Sequence, residues 1–255
     1  MTRSILAMLA AAALLAAAPP NGPELLPLAI GTLVRSSFVA SDHHIVQVQA
    51  AIFPRDRVTI GIVDYPLGGP VGGTVSRAFS PDVVAAITGS FFLQGYRPKG
   101  LLEIGGSVHE PARADLSGIV GSMTDDTPVV VPAAGVSTDA LKDAIQAGPF
   151  IVDPGGSFGI RSDDRQHGRR AIVILSADKI GVALTSSCTL YELAEGLTQS
   201  PATFGVERVE RALNLSGGPS AGIAFRLPSG RVEGDPEQIR IRTVLTIRKR
   251  AAARP

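Results

Sequence analysis

The chain has 255 residues, 45% of them hydrophobic, with 28 Gly, 19 Pro and a formal net charge of +1. That composition fits a globular, turn-rich protein and excludes a disordered chain. The near-neutral charge excludes the basic footprint of a nucleic-acid-binding protein, and the four lysines are outnumbered by arginines as a matter of composition rather than phosphate recognition.

The chain opens Met1-Thr2-Arg3, runs apolar from Ile5 to Ala18 and breaks at Pro19-Pro20. A short basic start, an Ala/Leu run and small residues before the break form the pattern of a secretory signal peptide. Residues 1–18 are therefore read as a signal peptide and the mature protein as periplasmic or secreted. The alternative is an uncleaved anchor, but the run is short for a bilayer span. No later segment offers one, so no membrane span is expected after cleavage. Residues 19–40 read as a leader, loose and Pro-rich to residue 30 and strand-like from Gly31, residues 41–250 as one domain, and 251–255 as a tail.

Ile45–Ala50 alternates apolar and polar, as a half-buried strand does, and Val58–Val63 is a second strand. Gly68-Gly69-Pro70 and Gly72-Gly73 form a loop without phosphate-loop spacing. Val83–Ile87 is a buried strand running into Thr88-Gly89-Ser90-Phe91-Phe92. Gly100–Val108 reads as a hairpin turning on Gly105-Gly106. Short strands follow at 119–123 and 129–131. Ser137-Thr138-Asp139 predicts a helix to about Ala147, stopped by Gly148-Pro149. Phe150–Val152 is a strand, and 155–168 an irregular polar loop. Arg170–Leu175 and Ile180–Thr185 pair around Ser176–Lys179. Thr189 with Glu192 is a capping box for a helix from Leu190 to about Leu197. Residues 206–211 read as a helical turn. Ala212–Leu215 is a strand with Asn214 between two leucines, and it enters Gly217-Gly218-Pro219. Strands at 223–227 and 243–247 close the chain. The fold class is α+β, a single β-rich domain with a mixed or antiparallel sheet and two or three helices.

Cys188 is the only cysteine. An exported chain with one thiol has no internal disulfide. A helix N-terminus can activate such a thiol, but a small buried hydrophobe is the favoured reading.

Five stretches in order resemble the phosphodiester glycosidase family, which includes the enzyme that uncovers mannose 6-phosphate by removing N-acetylglucosamine. They are Thr88–Phe92, similar to an Asn-Gly-Gly-Phe-Phe motif; Gly100-Leu101-Leu102 with Gly105-Gly106; Gln146–Pro149 with Ile151-Val152; His167–Ala171; and Thr189–Ala194 leading to Ala212–Ser220. The resemblance spans roughly residues 45–247. Two positions depart from it: Thr88 stands where the family has Asn, and Ser216 where it has the Asp of Leu-Asp-Gly-Gly. A serine does not replace a carboxylate as acid, base or metal ligand at neutral pH.

The implied activity is cleavage of a sugar from a glycosyl phosphodiester, which means stabilising an oxocarbenium-like sugar and an anionic leaving phosphate. The matching arginine, Arg169, suits the phosphate because its planar fork bonds two oxygens. His167 can carry a proton near neutral pH. The amides of Gly217 and Gly218 and the hydroxyl of Ser220 can bind the same anion. Thr88, Ser90 and Asn214 are candidate substrate contacts. Glu103, then Glu110, are the nearest carboxylates, and Ser216 marks the catalytic position of the lost Asp. Each has an ordinary alternative: His167 a surface histidine, Arg169 an exposed ion pair, Asn214 a core residue serving backbone groups, Glu103 an outward strand residue, the diglycine a plain turn.

Gly218-Pro219-Ser220-Ala221-Gly222 matches a nucleophile elbow, but a strand-like segment follows it and all four histidines precede it. His43 and His44 are adjacent, so on a strand they would point to opposite faces. No metal and no cofactor is expected. The expected partner is a glycosyl phosphodiester or an envelope glycan, with no nucleic acid. The rival reading is an inactive envelope glycan- or phosphosugar-binding protein that has lost the family Asp at Ser216.

Overall fold

The structure, a computed structural model, describes residues 22–66, 72–162 and 165–250. The signal-peptide residues 1–18, Gly68-Gly69-Pro70 and the tail 251–255 lie outside the described residues.

In chain order the strands begin β1 (Glu24–Pro27), β2 (Thr32–Val39), β3 (Ile45–Pro54), β4 (Val58–Asp64), β5 (Val83–Thr88) and β6 (Leu102–Ile104). They continue with β7 (Ser107–Glu110), β8 (Gly118–Met123), β9 (Pro128–Pro132), β10 (Leu141–Ala147), β11 (Phe150–Asp153) and β12 (Ser157–Phe158). The last six are β13 (Gly168–Leu175), β14 (Lys179–Cys188), β15 (Arg211–Gly217), β16 (Ile223–Arg226), β17 (Val232–Asp235) and β18 (Thr243–Lys249). The α-helix found among the described residues is α1 (Leu190–Gln199).

The strands form three antiparallel sheets. The largest runs β1-β2-β3-β14-β13-β15-β11-β12, the second β7-β6-β10-β8-β9 and the third β17-β16-β5-β18-β4. One central core lies between them. It takes Phe53, Val173 and Leu213 from the first sheet, Leu102, Val120 and Ile145 from the second, and Ile60, Ile87 and Leu245 from the third. Alternation along each strand sends the other residues outward. The outer face of the first sheet needs its own cover, and α1 provides it: Leu193, Ala194 and Leu197 pack there on Ile172, Ile174 and Phe204. The helix starts where the capping box predicts. Thr189 Oγ1 accepts the Glu192 amide at 3.1 Å, and the Glu192 carboxylate accepts the Thr189 amide at 2.8 Å.

The α+β expectation is corrected: the fold is β-rich, with three antiparallel sheets and one helix among the described residues. The predicted helix over 138–147 is a single 3-10 turn, Thr138–Ala140, followed by strand β10. The local start signal is present, but β10 pairs with β8 on one side and β6 on the other. Those two ladders outweigh local propensity. Residues 206–210 form no helical turn; Val206 and Val209 are anchors in the outer core and β15 begins at Arg211. Within the loose stretch 19–30, β1 is a paired strand of the largest sheet, and the strand-like reading from Gly31 meets β2. The Gly105-Gly106 hairpin forms with both glycines at positive φ, 59° and 76°, as a two-residue turn of this kind requires.

Candidate active site

The C-terminal ends of β5 and β15, the N-terminal ends of β13 and β18 and the turn before β16 meet at one rim. Thr88 is the tie. Fully buried at the end of β5, its hydroxyl donates to the Ser220 carbonyl at 2.7 Å and accepts the Gly222 amide at 3.0 Å. Its backbone amide also donates to the Gly222 carbonyl at 3.0 Å. The bend Gly217–Gly222 is thereby held to the third sheet although β15 belongs to the first.

Within the bend, Ser216 Oγ and Ser220 Oγ stand 2.8 Å apart, and Ser220 Oγ donates to the Gly217 carbonyl at 2.9 Å. Gly218 has φ 62°, the left-handed region that favours glycine. A side chain at 217 would meet the Arg170 guanidinium at 3.1 Å and the Arg169 carbonyl at 3.2 Å. The Arg169 segment therefore lies directly against the diglycine. Gly168 does too: a Cβ there would stand 3.5 Å from the Gly218 amide nitrogen. Gly218–Ser220 is a 3-10 turn leading into strand β16, so Ser220 is not presented on the strand-to-helix elbow of a serine hydrolase.

Arg169 is turned toward the segment that follows β17. Its Nη1 donates to the Pro236 carbonyl at 3.1 Å, and its Nη2 lies 2.9 Å from Asp235 Oδ1, close in charge but outside hydrogen-bond alignment. That segment is packed on the bend, since the amides of Gln238 and Ile239 both donate to the Pro219 carbonyl. Asp235 and Glu237 are thus carboxylates at this rim that sequence reasoning missed. Nothing local marks them; they arrive by the return of the β16–β17 hairpin.

Asn214 and Ser216 are separated by a register shift in the β13–β15 ladder, where Ile172 pairs with Asn214 but Ala171 pairs with Ser216. Such a bulge re-aims side chains. Ser216 shares the face of Ala171, in the central core, and Asn214 shares the face of Ile172, in the helix-side core. Asn214 Nδ2 donates to the Gly148 carbonyl at 3.0 Å, so its side chain serves the turn before β11 rather than the diglycine. Ser90 is buried, and its hydroxyl has no partner among the described residues.

Glu103 does not join this group. It lies on β6 of the second sheet opposite Ala144 of the outer core there. It is 1% exposed, and its Oε2 has no hydrogen-bond partner among the described residues. Burial, then the charges of Asp139 and Asp143, push its pKa above the ordinary glutamate value. Glu110 pairs with Arg97 at 3.3 Å. Cys188 is buried, and desolvation pushes its thiol up to about 11, which matches an inert core cysteine.

His167 precedes Gly168 and stands at the other flank of the bend. Its Nδ1 is 3.9 Å from Glu192 Oε2. His44 also reaches Glu192, with Nδ1 3.8 Å from Oε1. His43 and His44 do not lie on a strand with opposed side chains. In fact they occupy the β2–β3 turn, where His43 takes φ 70°. His44, His167 and Glu192 therefore form a cluster that the sequence reading missed, although Glu192 carried a visible capping signal.

The phosphodiester glycosidase family profile matches residues 81–248. The catalytic domain of zebrafish N-acetylglucosamine-1-phosphodiester alpha-N-acetylglucosaminidase, auto-inhibited by its pro-peptide, superposes with a TM-score of 0.65 at 17% identity, over 92% of this chain and 87% of that one. A hypothetical protein from Synechocystis gives 0.65 at 12% identity, over 91% of this chain and 64% of the other. A Burkholderia pseudomallei protein named as exported gives 0.54 at 12% identity, over 85% and 74%. These identities show a shared fold alone. No curated protein matches by sequence. The profile match takes in β5 to β18, which carry the diglycine bend, the Arg169 segment and α1, and on that ground the chain belongs to the phosphodiester glycosidase family.

Proposed function

We propose that the chain is an exported hydrolase that cleaves a sugar from a glycosyl phosphodiester at the rim of the diglycine bend. The observation that carries this reading is the direct apposition of Gly168-Arg169 and Gly217-Gly218, two stretches about fifty residues apart. A glycine bend of this kind favours an anion, and two arginines flank it: the Arg170 guanidinium lies against Gly217, and the Arg169 guanidinium, able to bond two oxygens, reaches the Pro236 side of the same rim. Asp235 has a half-exposed side chain, 46%, so a phosphate can displace it from Arg169. His167, next to Gly168 in the chain, is the group we assign to assist departure of the phosphate. Export rests on the basic start and apolar run before Pro19-Pro20.

Purified mature protein is to be assayed against a panel of glycosyl phosphodiesters. Turnover is expected, with kcat/KM falling about 100-fold in Arg169→Ala, the scale of losing one anion-stabilising donor. Absence of turnover together with Arg169→Ala binding phosphodiesters as well as wild type would remove the reading.

A second reading, a binding protein without catalysis, is favoured by one observation. Ser216, at the family Asp position, is engaged by Ser220 and offers no charge. Ser216→Asp discriminates: hydrolysis appearing only in the variant supports the binding protein, and hydrolysis by the wild type supports the enzyme.

A further inference from the structure

We propose that His44, His167 and Glu192 bind a divalent transition cation of the zinc type. The three residues come from the β2–β3 turn, the segment entering β13 and the first turn of α1. Each offers a ligand atom, and these atoms lie within 4.8 Å of one another. Zinc bonds of about 2.0–2.2 Å place tetrahedral ligands roughly 3.3 Å apart. The 3.8 and 3.9 Å separations from the two histidines to Glu192 close to that by small side-chain rotations.

The protonation pattern points to a positive centre. His44 Nε2 lies 3.1 Å from the Ser187 carbonyl, which only accepts, so Nε2 carries the hydrogen and donates. In the neutral ring Nδ1 is then a bare lone pair. It faces the Asp42 carboxylate in direct contact and the Glu192 carboxylate at 3.8 Å. Lone pairs turned on one another repel. Between Nδ1 and Asp42 there is room for a proton alone, so a zinc-type cation takes the open side toward Glu192 and His167, with Asp42 swung aside. A backbone carbonyl holding the far nitrogen of an imidazole is also how proteins fix the tautomer of a metal-binding histidine.

The Glu192 side chain is only 5% exposed. Its Oε2 accepts the Thr189 amide, while Oε1 is directed at His44. A buried carboxylate requires a compensating charge. The donor set, two imidazoles and a carboxylate with Asp42 alongside, suits Zn²⁺ and its neighbours rather than Mg²⁺ or Ca²⁺. The His167 side chain is 44% exposed, so such a cation would be reachable from solvent, beside the glycines that carry the proposed anion site.

The claim does not require the glycosidase reading, because binding is measured with the metal alone. Chelator-stripped mature protein is titrated with Zn²⁺ by calorimetry and with Co²⁺ by visible absorption. One ion per chain is expected. His44→Ala and His167→Ala should each weaken binding by about 100-fold, at or beyond the range seen for outer-shell changes. His109→Ala, on exposed β7, should bind as wild type does. Circular dichroism of each variant, with His167→Gln as a second substitution, separates lost ligation from lost folding. No Zn²⁺ uptake by the wild type, or equal uptake in folded His44→Ala and His167→Ala, overturns the proposal and assigns the positive centre to a proton. Either result leaves the phosphodiester reading to its own assay.

Discussion

Replacing Thr88 by Val tests whether one hydroxyl ties the diglycine bend to the third sheet. The two side chains have nearly the same shape, so the change removes chemistry and leaves little cavity. Two hydrogen bonds are lost, one to the Ser220 carbonyl at 2.7 Å and one from the Gly222 amide at 3.0 Å. Each contributes about 1 kcal/mol net, and a buried amide left without a partner costs a further ~1–3 kcal/mol. Gly222 is buried, so that cost applies. The expected loss is about 3–5 kcal/mol, a large share of the ~5–15 kcal/mol that holds a typical domain. Guanidinium denaturation of the mature chain should show a lower midpoint with an unchanged slope. Thr88→Ser, which keeps the oxygen, should retain most of the stability. A Thr88→Val protein within about 0.5 kcal/mol of wild type, the usual spread for an inconsequential substitution, would refute the argument. The hydroxyl would then be an ornament on a bend held by its backbone.

Glu103→Gln should stabilise the protein near neutral pH by about 1 kcal/mol, because it removes a buried charge with an orphaned oxygen. Burial raises the folded-state pKa, so the favourable contribution of this group is full below the ordinary value of 4.5 and is lost as pH rises through the shifted pKa. Denaturation curves of wild type and variant should therefore converge in acid and separate toward neutrality. If they keep a constant gap at every pH, the titration argument fails, and a fully active variant removes Glu103 from the catalytic candidates. Cys188 should resist Ellman's reagent in the native protein at mildly alkaline pH and react fully on unfolding, since its thiol is buried and pushed up to about 11. Rapid native labelling would contradict that. Asp64→Ala should cost about 3 kcal/mol, measured by thermal or chemical denaturation. It strips the partner from Arg242, whose Nε and Nη2 reach the carboxylate at 2.5 and 2.9 Å in a site where both side chains are under 15% exposed. A neutral effect would mean that water reaches the freed guanidinium.

What the sequence by itself determined was local. Alternation along Ile45–Ala50, the paired glycines at 105–106, the Ser176–Lys179 turn and the Thr189–Glu192 capping box each depend on neighbours within a few residues, and each is found where the pattern places it. The ordered motifs identified the family for the same reason, because they can be read without coordinates. What only the tertiary structure decided came from partners far along the chain. Leu141–Ala147 is a strand because β6 and β8 flank it, against its own helix-start signal. A single bulge in β15 sends Asn214 and Ser216 to opposite faces, which no spacing rule foretells. His44 meets His167 across more than a hundred residues, and Asp235 meets Arg169 through a hairpin return. Short-range backbone and capping preferences are written in adjacent residues, whereas sheet register and the convergence of loops are settled by which distant strands pair, and the candidate site is made mostly of the latter.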